Sequence, residues 1–128
     1  MRRYTGKIPV AADIANHFCE WMTDYNLPDS HILRLEWHPN AKQQHDFVKT
    51  YLQARFGKEP SEEEVEKMCV QVHKHELFSN MHWFLWGLLQ CPISTIDWDY
   101  WGYALNRWEH YVRVKKEFGR EALPIMSE

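Results

Sequence analysis

Apolar residues recur at three- and four-residue intervals along most of the chain, the spacing that places side chains on one face of a helix. The first such stretch runs from Ala12 to Tyr25 and is followed by an Asn-Leu-Pro-Asp sequence typical of a turn at residues 26–29. Its apolar positions are Ile14, Phe18, Trp21, Met22 and Tyr25. The pattern predicts a first helix over residues 12–25.

A second helix is predicted from residues that favour its two ends. Asn40 and Gln43 have the spacing of a capping box, and Gly57 is a typical C-terminal stop. The apolar positions between them are Phe47, Tyr51, Leu52 and Phe56.

Two further helices complete the pattern. Ser61 and Glu64 form another capping box, and the apolar positions Met68, Val72 and Phe78 continue the third helix into the Trp83 region until Pro92. Asp97 or Asp99 can cap the last helix, which ends near residues 115–119. Its apolar positions are Tyr103, Leu105, Trp108, Tyr111 and Val112. With little that indicates a strand, the chain is predicted to be all-α.

Composition narrows the class of protein. A length of 128 residues indicates one domain at most, and a net charge of −3 with scattered acids and bases argues against nucleic-acid binding and a polybasic membrane anchor. No uncharged apolar run approaches the ~18 residues of a membrane span. Three widely spaced cysteines, Cys19, Cys69 and Cys91, are typical of reduced thiols. The predicted location is the cytoplasm.

Trp83 and Trp86 are three residues apart, so on a helix their indole rings form adjacent walls, with Gln90 a further turn along. Indole walls favour a permanent cation, at about 0.5–2 kcal/mol for each aromatic face. A quaternary ammonium cannot shed its charge to enter an apolar site. The alternative is that aromatic residues at this spacing simply belong to the core.

Two segments carry a resemblance to a known family. Residues 13–25, DIANHFCEWMTDY, and residues 83–111, WFLWGLLQCPISTIDWDYWGYALNRWEHY, resemble the choline/ethanolamine kinases. The resemblance covers about residues 12–118, flanked by a divergent segment at 1–11 and a tail at 119–128 that is expected to be frayed. It implies the C-terminal helical part of a protein-kinase-like fold, without the β-rich N-terminal lobe and the catalytic loop.

The resemblance also implies a binding site for choline or ethanolamine. Glu20 stands where the family places an acidic residue near the ammonium group. The aromatic walls implied in the same way are Tyr25, Trp83, Trp86, Trp98 and Tyr103. Trp98 stands where relatives commonly show Phe. For each residue a purely structural role, on the surface or in the core, remains open.

In the family, the γ-phosphoryl group of ATP passes to the substrate hydroxyl with Mg²⁺. That reaction needs a phosphate cradle, a lysine, a base and metal-binding carboxylates. The glycines of this chain lie far apart, and neither the HNDLxxxN loop nor the metal-binding Asp-Phe-Glu-Tyr segment has a match. We therefore expect no catalytic residue, no metal ligand and no bound cofactor, and no turnover by this chain alone.

Two hypotheses of function follow. The chain is either the substrate-binding lobe of a kinase of phosphatidylcholine or phosphatidylethanolamine synthesis, or a non-catalytic truncated product that binds a full-length kinase or has no function of its own. Apolar surface normally covered by the other lobe would then favour self-association. The sequence does not discriminate between choline and ethanolamine.

Metal binding is the weaker interpretation at two other places. His73 and His75 are two residues apart, which on a helix directs them away from each other, so a metal site would need ligands from elsewhere. Asp97 and Asp99 flank Trp98, and helix capping is the simpler explanation for both.

Overall fold

The computed structural model describes residues 9–118, and within that range all regular structure is helical. Four α-helices and one short 3-10 helix follow in order: α1 (Val10–Glu20), the 3-10 helix (Leu35–Trp37), α2 (Ala41–Phe56), α3 (Glu62–Gln90) and α4 (Tyr100–Phe118). The prediction of an all-α fold is thus confirmed for the described range. None of these helices has the length and apolar character that crossing a membrane requires.

The first helix is shorter than predicted. It ends at Glu20, because the backbone N–H of Trp21 is shared between the carbonyls four and three residues back, and those of Met22 and Thr23 bond only three residues back. The Thr23 hydroxyl adds a bond of 3.0 Å to the Glu20 carbonyl. The prediction that this helix runs to Tyr25 is wrong, and Tyr25 lies in the turn that follows.

The predicted ends of α2 are confirmed. Asn40 accepts a hydrogen bond from the backbone N–H of Gln43 at 2.9 Å, and the Gln43 side chain accepts one from the backbone of Asn40 at 2.9 Å. Gly57 ends the helix with a φ of 72°, a left-handed conformation that glycine adopts without strain.

The caps of α3 and α4 follow the same logic. The Ser61 hydroxyl accepts from the backbone N–H of Glu64 at 3.1 Å. Asp99, rather than Asp97, caps α4, since its carboxylate accepts from the backbone N–H of Gly102 at 2.8 Å. A carboxylate at this position favours helix initiation, and capping therefore accounts for Asp99.

Helix α3 is the central element and packs against the other three helices. Its N-terminal half joins α1 and α2 in the main core, formed by Ala11, Ile14, Ala15, Phe18, Val48, Leu52, Val65 and Val72. Its C-terminal half joins α4, where Leu77, Tyr111 and Val114 form a second cluster.

Several residues on the predicted apolar faces are exposed. Phe56, the last residue of α2, is 61% exposed, whereas Val48 and Leu52, two turns and one turn earlier on the same face, belong to the main core. Phe78, Leu105 and Trp108 are also exposed, at 40% or more. The predicted apolar faces are therefore wider than the buried ones.

A buried carboxylate ties α3 to the segment before α2. Glu76 is 3% exposed, and its two oxygens lie 2.7 Å from Nε2 of His38 and 3.5 Å from Nδ1 of His73. Burial alone would raise the pKa of Glu76, but the two histidines outweigh it and hold that pKa below its ordinary value. His73 also lies 3.0 Å from Glu117 of α4. The side chain of His73 is therefore engaged in ion pairing.

His110 of α4 is buried beside this cluster, and its Nδ1 lies 2.9 Å from an Arg113 nitrogen. Because a guanidinium can only donate, Nδ1 is an acceptor and the ring is neutral. Burial, together with the charge of Arg113, lowers the pKa of His110 from 6.5 to about 4.

This shift predicts a loss of stability on acidification. Between pH 6.5 and 4 the unfolded chain protonates His110 while the folded chain does not, so stability falls as the pH falls. We expect wild type to lose about 2 kcal/mol between pH 7 and 5 relative to His110→Gln, measured by urea unfolding. The raised pKa of His73 favours the folded state as the pH falls, and it contributes equally to wild type and His110→Gln. A His75→Gln variant is the control, and equal pH slopes for wild type and His110→Gln would contradict the prediction.

At Gly87, α3 lies close to the start of α4. A Cβ atom there would lie 3.1 Å from Cβ of Ala104, 3.1 Å from Cδ1 of Tyr103 and 3.3 Å from the carbonyl oxygen of Tyr100. The first two neighbours are packed side chains and the third is backbone, so a side chain at Gly87 requires the helices to separate.

Gly87→Val should therefore destabilise the fold by about 2 kcal/mol through overpacking. Leu89→Val, which places the same side chain at an exposed position two residues away, is the control and should change stability by less than about 0.5 kcal/mol. The measurement is the midpoint of urea unfolding. Equal midpoints for the two variants would show that the contact is looser than the distances imply.

Candidate functional site

A cavity of about 390 Å³ lies between the end of α1, the C-terminal half of α3 and the start of α4. This volume falls in the range of small-molecule sites, roughly 300–1,000 Å³. All six residues predicted to form a site line it: Glu20, Tyr25, Trp83, Trp86, Trp98 and Tyr103. Four further residues complete the lining: Ser30, Ile96, Asp97 and Tyr100.

The walls of the cavity are aromatic rings in contact with one another. The ring centroids of Trp83 and Trp86 are 5.4 Å apart at an interplanar angle of 77°, so the two indoles form adjacent walls. Tyr103 lies 5.9 Å from Trp86 and 5.0 Å from Trp98, which joins the helical walls to the segment between α3 and α4. The Trp83–Trp86 and Trp86–Tyr103 pairs are edge to face, and the Trp98–Tyr103 pair is tilted at 48°.

Trp83 is fixed by a partner on α1. Its indole Nε1 donates a hydrogen bond of 2.7 Å to Oδ1 of Asn16, which also accepts from the Ser79 hydroxyl at 3.3 Å. The indole N–H is thereby satisfied within the protein. The ring is held by α1 as well as by its own helix.

Trp98 is fixed in a similar way by the segment after α1. Its Nε1 donates a hydrogen bond of 2.9 Å to the Ser30 hydroxyl, and the neighbouring Asp99 lies 3.5 Å from His31. A phenylalanine at position 98 could not donate this bond. The tryptophan therefore ties the loop before α4 to residues 68 positions earlier in the chain.

Glu20 provides a carboxylate at the side of the cavity. Its Oε2 accepts hydrogen bonds from the Tyr25 hydroxyl at 2.9 Å and the Thr23 hydroxyl at 3.4 Å. Its Oε1 lies 3.9 Å from a nitrogen of Arg107. The side chain is 37% exposed, so the carboxylate remains open to a ligand.

The rest of the cavity is uncharged except for the exposed Asp97. Burial raises the pKa of Tyr103 to about 12, against the opposing charge of Arg107, so its hydroxyl is neutral. Burial also raises the pKa of the nearby Cys19 thiol to about 11, which makes it a poor nucleophile. The arrangement combines aromatic faces with negative charge, which suits the binding of a cation.

No group of three or more histidine, cysteine, aspartate or glutamate side chains in residues 9–118 is arranged to hold a metal ion. The described glycines are isolated, at positions 57, 87 and 102. No step through ATP or Mg²⁺ can be derived from these residues.

Three residues that support the cavity were not predicted: Asn16, Ser30 and Arg107. Arg107 had a signal, because it follows Tyr103 by four residues and so falls on the buried face of α4. A charge on an apolar face indicates a paired, buried group. Asn16 and Ser30 had no local signal, since their partners lie more than 60 residues away.

Comparison with known proteins identifies relatives of this chain. A family model described as "Choline/ethanolamine kinase" matches residues 3–112. The chain is 40% identical to "Probable choline kinase 2" of Arabidopsis thaliana over 107 residues, which cover 84% of this chain and 30% of that protein. It is 34% identical to "Ethanolamine kinase 1" of Mus musculus, over 94% of this chain and 33% of that protein.

Solved structures agree with the sequence comparison. A crystal structure of choline kinase from Cryptosporidium parvum Iowa II superposes with a TM-score of 0.76 at 30% identity, covering 91% of this chain and 33% of that one. The match is consistent with the C-terminal helical part of the kinase-like fold. The chain spans about a third of the length of these relatives.

Proposed function

The chain belongs to the choline/ethanolamine kinase family, and on this premise we propose that its cavity binds the ammonium group of choline or ethanolamine. One observation carries the proposal: Trp83, Trp86 and Trp98 line the same cavity as the Glu20 carboxylate. The relatives are named as choline or ethanolamine kinases, and both substrates carry a positively charged amine.

The physical basis is the chemistry of the cation. A trimethylammonium group has no N–H to donate, so its attraction to a site comes from aromatic faces and from a carboxylate. The indole N–H groups of Trp83 and Trp98 are bonded to Asn16 and Ser30, and so add no donor that would compete for Glu20. The cavity thus offers the positive group aromatic faces and a carboxylate.

Within the whole reaction, we propose that this chain supplies the amine-binding part of a cytoplasmic phosphotransferase of phospholipid synthesis. It would hold the substrate while residues from outside this chain bind ATP and Mg²⁺ and carry out the phosphoryl transfer. Glu20 and the aromatic walls would then set the position of the substrate hydroxyl without touching the transferred group.

A second candidate function is binding to another protein without catalysis. The observation that favours it is a set of large apolar side chains exposed on α3 and α4: Phe78, Leu85, Leu89, Trp101 and Trp108. Apolar side chains of this size at a surface often mark interfaces. The partner would be a full-length kinase or a second copy of this chain, and sedimentation velocity with and without such a kinase distinguishes the two.

Choline should stabilise the purified chain against heat, and Trp86→Ala should abolish the effect. A ligand at ten times its dissociation constant stabilises the folded state by about 1.4 kcal/mol, or a few degrees in Tm. Trp101→Ala is the matched control, because Trp101 is exposed and does not line the cavity. Its Tm should still rise with choline.

A neutral analogue tests the role of charge in the same assay. The compound 3,3-dimethylbutan-1-ol has the shape of choline but no positive charge, and we expect it to leave the Tm unchanged. An equal rise with the analogue would mean that the cavity recognises shape alone. No rise with either choline or ethanolamine would contradict the proposed function.

A further inference from the structure

Arg107 is fully buried, with 0% of its surface exposed. One guanidinium nitrogen, Nη1, donates a hydrogen bond of 3.2 Å to Oδ1 of the buried Asn80. The other two nitrogens, Nε and Nη2, have no hydrogen-bond partner among the described residues. A buried guanidinium with so few bonds is costly, so its position calls for an explanation.

The neighbours of the guanidinium include two lining residues of the cavity. Its Nη2 lies 3.9 Å from Oε1 of Glu20, and its Cζ lies 5.4 Å from the ring centroid of Tyr103. Arg107 itself does not line the cavity. It therefore contacts the Glu20 carboxylate and the Tyr103 ring from the protein interior.

The other partners of Glu20 all come from the short turn that follows it. It is the last residue of α1, and its other partners are the hydroxyls of Thr23 and Tyr25 in the turn that follows. Tyr25 is 60% exposed, so this part of the carboxylate's environment lies at the surface. Of these contacts, only that with Arg107 comes from a fully buried group.

We propose that Arg107 is a positioning residue, which fixes the Glu20 carboxylate in the arrangement that receives an ammonium ligand. This inference rests on the proposed function. The carboxylate is shared, with Arg107 acting on it from the protein interior and the ligand from the cavity. Arg107 acts through Glu20 and does not touch the ligand.

Another role for the same charge leads to a different result. If the guanidinium acted on the ligand only as a nearby positive charge, Arg107→Lys, which keeps that charge, would leave the Kd for choline unchanged. If the guanidinium positions Glu20 through its planar donors, the same variant weakens binding. The change in Kd therefore separates the two roles.

A double-mutant cycle tests the proposal. Arg107→Lys keeps the charge but loses the planar fork of donors, and Glu20→Gln removes the charge that Arg107 is proposed to hold. We expect Arg107→Lys to raise the Kd for choline about tenfold in the wild-type background, and less than about twofold in the Glu20→Gln background. The Kd is measured from tryptophan fluorescence.

Arg113→Lys is the matched control. Arg113 lies on the same helix but is half-buried and pairs with Glu117, away from the cavity. This variant should leave the Kd for choline unchanged.

A second measurement leaves Arg107 in place and so does not depend on whether its variant folds. The ¹⁵N resonance of the Arg107 Nε–H group should shift when choline is added to wild type, and should not shift in Glu20→Gln at choline concentrations that saturate that variant. This spectroscopic change reports contact between the guanidinium and the occupied site, which a purely structural role in the core would not produce.

The outcomes are distinct. Wild type that does not bind choline overturns both the proposed function and this inference. If wild type binds choline, three results overturn the positioning role alone. They are equal effects of Arg107→Lys in both backgrounds, tighter binding by Arg107→Lys, and an Arg107 resonance that choline does not move.

Discussion

The structure depends on how one buried positive charge is compensated. The guanidinium of Arg107 sits where α1, α3 and α4 meet, and removing such a charge from water costs several kcal/mol unless partners surround it. Those partners come from different helices: Glu20 ends α1, Asn80 belongs to α3, and Tyr103 lies on α4. Since each helix must present its partner to the same group, the charge constrains how the three helices sit together. The aromatic cavity is formed by the same three helices, so its shape depends on the same arrangement.

The cavity itself is a product of contacts between distant parts of the chain. Trp83 is fixed by Asn16 and Trp98 by Ser30, across 67 and 68 residues respectively. Both bonds turn an indole N–H toward the protein, so these two tryptophans present ring surfaces to the cavity. Because their N–H groups are already bonded, they do not compete with a positive ligand for the Glu20 carboxylate, to which the Tyr25 hydroxyl donates. The two indoles thus offer aromatic faces to a ligand because their N–H edges are already bonded within the protein.

How much of this could be predicted differs between levels of structure. Capping pairs such as Asn40 with Gln43 act over three residues, and the helix boundaries that depend on them were predicted correctly. The end of α1 was not, because it depends on bonds made by the turn after Glu20. The six predicted lining residues came from resemblance to a family, since spacing alone related only Trp83 to Trp86. Arg107 was missed because a charged residue in a helix is ordinarily taken as solvent-facing, and its burial depends on partners from other helices.

Helix α3 is unbroken for 29 residues, and that continuity has a geometric consequence. Glu76 and Trp83 are seven residues apart on it, which is about two turns, so the ion-paired carboxylate and the first wall of the cavity share nearly the same helical phase. Inserting or deleting one residue between them would rotate Trp83 and everything after it by about 100° relative to Glu76. The number of residues between Glu76 and Trp83 is therefore fixed by the helical repeat. We expect natural variation in length among related chains to fall in the connecting loops instead.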